Sequence, residues 1–107
     1  PHTSATIEFS EGYPPMFPSE RNRGLLSVLS QINEDLGRGP MQELDPSRRG
    51  AADVSFVDPY TETLAGLGPL GEGGHTPNES IDLSSLPLAI KRTAILIYRL
   101  HQEADAD

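Results

Sequence analysis

The sequence has no cysteine and no tryptophan. The first absence removes disulfides, thiol nucleophiles and thiolate metal sites, and leaves the redox compartment open. Positive charge is scarce: Lys+Arg number 8 against 16 Asp+Glu, a net charge of −8. Phosphate backbones and anionic membrane surfaces would be repelled, so neither nucleic acid nor membrane is expected as a partner. No apolar run approaches the ~20 residues that a membrane-spanning helix needs. Only 36% of the 107 residues are hydrophobic and 6% aromatic, which allows one modest domain with a small core. Gly 10 and Pro 10, by contrast, commit much of the chain to turns and loops. The chain opens on Pro1-His2-Thr3, with neither Met nor a signal pattern, and reads as if it begins inside something longer.

Residues 5–10 alternate apolar and polar side chains with β-branched and aromatic members, which predicts a half-buried strand. Three prolines among residues 13–18 (Tyr13-Pro14-Pro15-Met16-Phe17-Pro18) preclude a helix or a central strand, so this stretch is expected as a stiff connector crossing between domains or along a surface. Leu25, Leu29, Ile32 and Leu36 fall at i, i+4, i+7 and i+11, one buried stripe of a helix capped by Ser19 or Asn22 and stopped by Gly37. Residues 41–44 and 63–68 suit short strands, while Val54-Ser55-Phe56-Val57 fits either a strand or a short helix capped by Asp53. Arg48-Arg49 reads as a solvated basic turn or, alternatively, as an anion-binding pair. A last helix starts at Ser84 or Ser85 with Pro87 in its first turn. Ile90, Ala94, Ile97 and Tyr98 share one face of it, and Lys91, Arg92, Arg99 and Gln102 lie largely on the other. Residues 104–107 form a frayed acidic tail, and no internal repeat is present.

The stretch with most chemistry is Gly71-Glu72-Gly73-Gly74-His75-Thr76-Pro77-Asn78-Glu79. Its glycines let the backbone approach another surface closely, and Pro77 restricts the backbone just beyond the histidine. Imidazole serves both as metal ligand and as general base near neutral pH. Thr76-x-x-Glu79 also has capping-box spacing with proline at the first helical position, so part of the loop could be a helical turn. His2 is terminal and His101 sits in a last helical turn, which leaves His75 as the one histidine in a site-like setting, although a lone loop histidine can equally be structural. A metal site needs three or four ligands; the carboxylates at hand are Glu72 and Glu79, with Asp53 a spatial candidate. No H-E-x-x-H or H-x-H spacing, no G-x-S-x-G elbow and no Walker lysine is present, so these residues alone do not complete a zinc, serine or nucleotide site.

Taken in order, Tyr13-Pro14-Pro15-Met16, Asn22-Arg23 with the leucine helix, Arg49-Gly50-Ala51-Ala52-Asp53-Val54-Ser55-Phe56, Gly66-Leu67-Gly68-Pro69 and the His75 loop with its closing helix resemble one family. The chain is similar over nearly its whole length to the C-terminal part of the zinc aminoacylase and carboxypeptidase family, metallopeptidase family twenty. That family includes glutamate carboxypeptidases, succinyl-diaminopimelate desuccinylases and peptidase T. The resemblance implies an α/β fold, a piece of a zinc-exopeptidase-like catalytic domain. Residues 1–12 would be the final strand of an inserted lid or dimerisation domain, 13–18 the proline-rich crossover, and 19–103 the C-terminal portion of the catalytic domain.

The resemblance further implies a hydrolase that cleaves an amide bond through water activated by two zinc ions, with a peptide or N-acyl amino acid as substrate. His75 would be the last metal ligand; Gly50, Asp53 and Gly74 would line the substrate pocket. The family's remaining ligands, its bridging carboxylate and its general-base glutamate lie N-terminal to the matching segment and have no counterpart here. Where some relatives carry an arginine for the substrate carboxylate, this chain has Gly12-Tyr13, with Arg21, Arg23 and Arg49 as candidate replacements. The N-terminal remainder of the same polypeptide is therefore an expected partner, and these residues alone are expected to be inactive, to bind zinc weakly at most and to self-associate or form homodimers. The rival expectation is a non-enzymatic α/β interaction module.

Overall fold

The computed structural model describes residues 1–48 and 50–106. Helix α1, Glu20–Asp35, begins at Ser19, whose extended backbone (φ −133°, ψ 160°) lets its hydroxyl accept the Asn22 N–H at 3.2 Å. Of the two candidate caps it is Ser19 that acts. The predicted stripe is the buried one: Ile32 is 0% and Leu29 3% exposed, and Leu25 and Leu36 pack partly buried against them. Gly37, at φ 79°, ends the helix with the Arg38 N–H on the Asn33 carbonyl (3.0 Å) and its own N–H on that of Glu34 (2.9 Å), a Schellman closure that needs a left-handed residue.

A short helix, α2, covers Val54–Val57. The Asp53 preceding it has helical backbone angles and makes no side-chain cap bond, contrary to the expected capping role.

Helix α3, Leu86–Ala106, comes after a 3-10 turn at Leu83–Ser85. The helical path thus begins at the expected serines, and Asp82 caps the 3-10 turn, its carboxylate accepting the Ser84 N–H at 2.9 Å; Pro87 sits in the first turn of α3, where a missing N–H costs nothing. Leu96 (7% exposed) joins Leu29 and Ile32 in the core, with Ile95 and Leu100 partly buried beside it. The face shared by Ile90, Ala94, Ile97 and Tyr98 points outward, with Ile90, Ile97 and Tyr98 59–64% exposed. On the inward side Leu96 and Leu100 pack on the core, flanked by Arg99, which reaches Asp35 on α1 at 2.7 Å, and by Arg92, which reaches the Asn33 amide oxygen at 3.0 Å. Helix α3 thus carries apolar residues on two sides, of which α1 covers one.

Strand structure is slight. Gly71–Glu72 (β1) and Ser80–Ile81 (β2) pair antiparallel, Gly71 opposite Ile81 and Glu72 opposite Ser80, and with the helices they are compatible with an α/β class. Among the described residues, the three strands predicted at 5–10, 41–44 and 63–68 do not form. Period-two alternation specifies an extended chain but not a partner for its hydrogen bonds. Residues 5–10 remain wholly exposed, Ile7 at 74% and Phe9 at 88%. Met41 instead packs on the core and donates its N–H to Ser30 Oγ at 2.9 Å, while Leu64 and Leu67 cover the same core as irregular chain.

Candidate functional site

The His75 loop is a β-hairpin rather than a strand-to-helix connection. At its base a Cβ on Gly71 would stand 2.6 Å from the Ser80 carbonyl oxygen, so only glycine allows β1 and β2 to close. Two successive turns form its tip: Thr76 N–H donates to Gly73 O at 3.0 Å and Glu79 N–H to Thr76 O at 3.2 Å. The second turn leads straight into β2. The expected helical turn at residues 76–79 goes no further than this single turn, because the chain passes into β2 at Ser80; the Thr76 hydroxyl accepts the Asn78 N–H at 3.3 Å.

His75 occupies the third position of the first turn with φ 64°, the one positive φ outside glycine among the described residues. A turn with that sign pattern normally takes Gly or Asn there. For a side chain such as histidine the left-handed region costs roughly 1–2 kcal/mol, a cost that an exposed imidazole does not recover by burial. Backbone strain held at an exposed, chemically capable side chain is a mark of functional loops. The hairpin is tied to the start of α3 through Leu70, which donates to Ser85 Oγ at 2.8 Å and accepts from the Asp82 N–H at 2.8 Å. Ser84, first through its side chain and then its backbone, holds the Asp82 carboxyl below the ordinary carboxylate value.

The candidate site residues fall into three places. Gly74 and His75 share the hairpin tip, where Glu79 is the nearby carboxylate: its Oε1 lies 3.8 Å from where a Cβ on Gly74 would be. Asp53 stands beside the Tyr13 hydroxyl, whose hydrogen bond to the carboxylate, and then the carboxylate's charge, raise the phenol above its ordinary value. Tyr13 also packs edge-on against Phe56, ring centres 5.0 Å apart. Gly50 lines an open, mainly apolar groove of about 320 Å³ together with Met16, Leu26, Leu29, Met41 and Leu64; neither Asp53 nor His75 borders it. Of the arginine candidates, Arg23 is held by Glu43 (2.9 Å) and Glu20 (3.1 Å), Arg21 donates to the Asp58 carbonyl at 3.3 Å, and Arg49 lies outside the described residues.

A zinc ion would find in His75 an exposed imidazole, a donor of the right kind. Among the described residues no group of three or more His, Asp or Glu side chains gathers to hold a metal, so the tip offers one ligand of a set.

Sequence reasoning missed a buried polar junction. Asn22 and Thr63, each 6% exposed, meet where Asn22 Oδ1 accepts the Thr63 N–H at 2.8 Å, and both side chains donate to Asp58 Oδ1. It joins the first turn of α1 to residues 58–63. Partners 36 and 41 positions apart leave no local pattern by which a single sequence could announce them.

His75 is thus an exposed imidazole on a glycine-built hairpin carried by packed helices, and loops on a rigid scaffold are where chemically capable side chains are usually presented. The sequence model of peptidase family M20/M25/M40 matches residues 3–99, and the chain belongs to that family. Its members are in general metal-dependent hydrolases. No curated protein and no solved structure matches the chain.

Proposed function

We propose that these residues are the C-terminal segment of the catalytic domain of a zinc-dependent hydrolase cleaving an amide bond, an exopeptidase or N-acyl amino acid deacylase. His75 is the last ligand of a two-metal site whose other ligands lie on chain N-terminal to this segment. The observation that carries this reading is the exposed, left-handed His75 at the hairpin tip of a member of the M20/M25/M40 family. Paired zinc ions in such a site supply an activated water and a charge sink for the developing oxyanion. The contribution of this chain is positional. His75 offers its imidazole, Gly73 and Gly74 keep bulk away from it, and Gly50, Asp53 and Gly74 belong to the wall of the substrate pocket. Residues 1–12, unpaired here, become the last lid strand when the rest of the lid is present to pair with them, and 13–18 are the crossover into the catalytic domain. The remainder of the polypeptide covers the outer face of α3.

One imidazole does not close a site, so these 107 residues alone bind zinc no more than weakly and do not turn over substrate. Calorimetry showing tight one-to-one zinc binding by them contradicts this, and so does a full-length enzyme that keeps its zinc content and turnover after His75→Ala. The exposed Ile90, Ile97 and Tyr98 favour self-association, and they also support a second reading as a non-enzymatic interaction module. A histidine-aspartate motif and paired glutamates encoded upstream of Pro1 decide for the enzyme.

A further inference from the structure

We infer that Thr76 is a positioning residue for His75: its hydroxyl clasps the hairpin tip and holds the histidine in its left-handed conformation. The inference rests on the proposed role of His75 as a metal ligand and concerns how that ligand is aimed. The Thr76 hydroxyl donates to the Gly73 carbonyl at 2.6 Å and accepts from the Asn78 N–H at 3.3 Å. The same Gly73 carbonyl also takes the Thr76 N–H at 3.0 Å. One side chain thereby bridges the turn that contains His75 and the turn that follows it. Without it, the tip keeps only backbone turns, and the unfavourable φ of His75 gives it reason to relax into commoner regions.

Gly73 is shaped to the same clasp. It is left-handed itself, at φ 67°, and a Cβ there would stand 3.1 Å from Thr76 Oγ1 and 3.3 Å from the Asn78 carbonyl oxygen. The space that an alanine would need is the space the clasp uses. Pro77, immediately after Thr76, restricts the threonine backbone to extended angles and so limits how far the hydroxyl can swing away. A methyl in place of the hydroxyl, as in Thr76→Val, keeps the shape and the β-branching but removes both bonds. Thr76→Ser keeps the bonds and removes the methyl.

The test uses the 107-residue chain and nuclear magnetic resonance. Thr76→Val is expected to move the His75 backbone carbon shifts away from left-handed values and to speed Asn78 amide exchange by roughly 3- to 10-fold, the loss expected for a hydrogen bond of ordinary net strength. Thr76→Ser should stay within about twofold of the parent on both readouts, and Gly73→Ala should resemble Thr76→Val. The melting temperature and the methyl spectrum of the α1–α3 core should not move in any of the three, because the clasp lies outside that core. Unchanged His75 shifts in Thr76→Val, or equal loss in Thr76→Ser, overturns the inference, as does a core that melts with the tip. The metal reading fails by a different result: zinc ions alone, titrated into the parent chain, shifting His2 or His101 before His75.

Discussion

If His75 is retained in a conformation that glycine would adopt more readily, removing its side chain should relieve the loop while removing its chemistry. The comparison that isolates this is His75→Gly against His75→Ala. Both lose the imidazole, but only alanine keeps a Cβ at φ 64°. The left-handed region costs a residue with a Cβ roughly 1–2 kcal/mol. Glycine gives back part of that gain, about 0.5–1 kcal/mol, through the larger freedom of its open state. The expected order is Gly above Ala, by up to about 1 kcal/mol net. The hairpin meets the rest of the fold mainly through Leu70, Asp82 and Ser85, so the difference belongs to local opening rather than to global unfolding. Exchange of the Thr76 and Glu79 amides, which close the two turns, reads it directly: about fivefold slower exchange in the glycine variant corresponds to such a gain. Equal exchange in the two variants, or better protection with alanine, would refute the claim that the histidine is held at a cost.

Ile32→Ala should remove the centre of a core with few fully buried side chains, costing about 2–5 kcal/mol and lowering the melting temperature by about 10 °C or more, as followed by circular dichroism. A shift of only a few degrees would mean that the packing of α1 on α3 is not what holds the fold. Acid should loosen the molecule at identifiable places. The carboxyls of Asp35, held first by Arg99 and then by Gln31, of Asp45, held by Ser47, and of Asp82, held by Ser84, are all lowered. A lowered carboxyl adds stability that is complete above its unfolded value and is lost as pH falls through the folded one. Melting temperature should therefore decline below about pH 4, and Asp35→Asn should flatten part of that decline. A profile unchanged by the substitution would remove the Asp35–Arg99 pair from the account.

Helix α1 was legible because four apolar residues at helical spacing, a serine before them and a glycine after them all express one local geometry. Helix α3 was legible as a helix but not in its orientation. Apolar residues recur on two of its sides, and the choice between them lies with contacts on α1 far off in sequence: the Leu29 and Ile32 core, and Asn33 and Asp35, 59 and 64 positions from the arginines they hold. The strands failed for a related reason, since alternation in residues 5–10 describes a chain ready to pair and says nothing of what it pairs with. At the tip, the histidine was singled out by its glycines, but its setting was misjudged. Thr76 and Glu79 have the spacing of a helix cap, and the Thr76 hydroxyl does accept from Asn78, but the chain enters β2 at Ser80 before a helix can grow.

The outward side of α3, together with Ile7, Phe9 and Leu83, places large oily side chains in water on a molecule with a radius of gyration of 18.3 Å. A compact chain of this length would measure about 13 Å. The net charge of −8 opposes association of such a surface, and that repulsion vanishes near the isoelectric point of about 4.7. Mild acid therefore acts in two stages: it discharges the colloid near the isoelectric point, before the lowered Asp35 and Asp82 carboxyls begin to release below about pH 4. Handled alone, the polypeptide should come out of solution close to the isoelectric point while much of its helix is still formed.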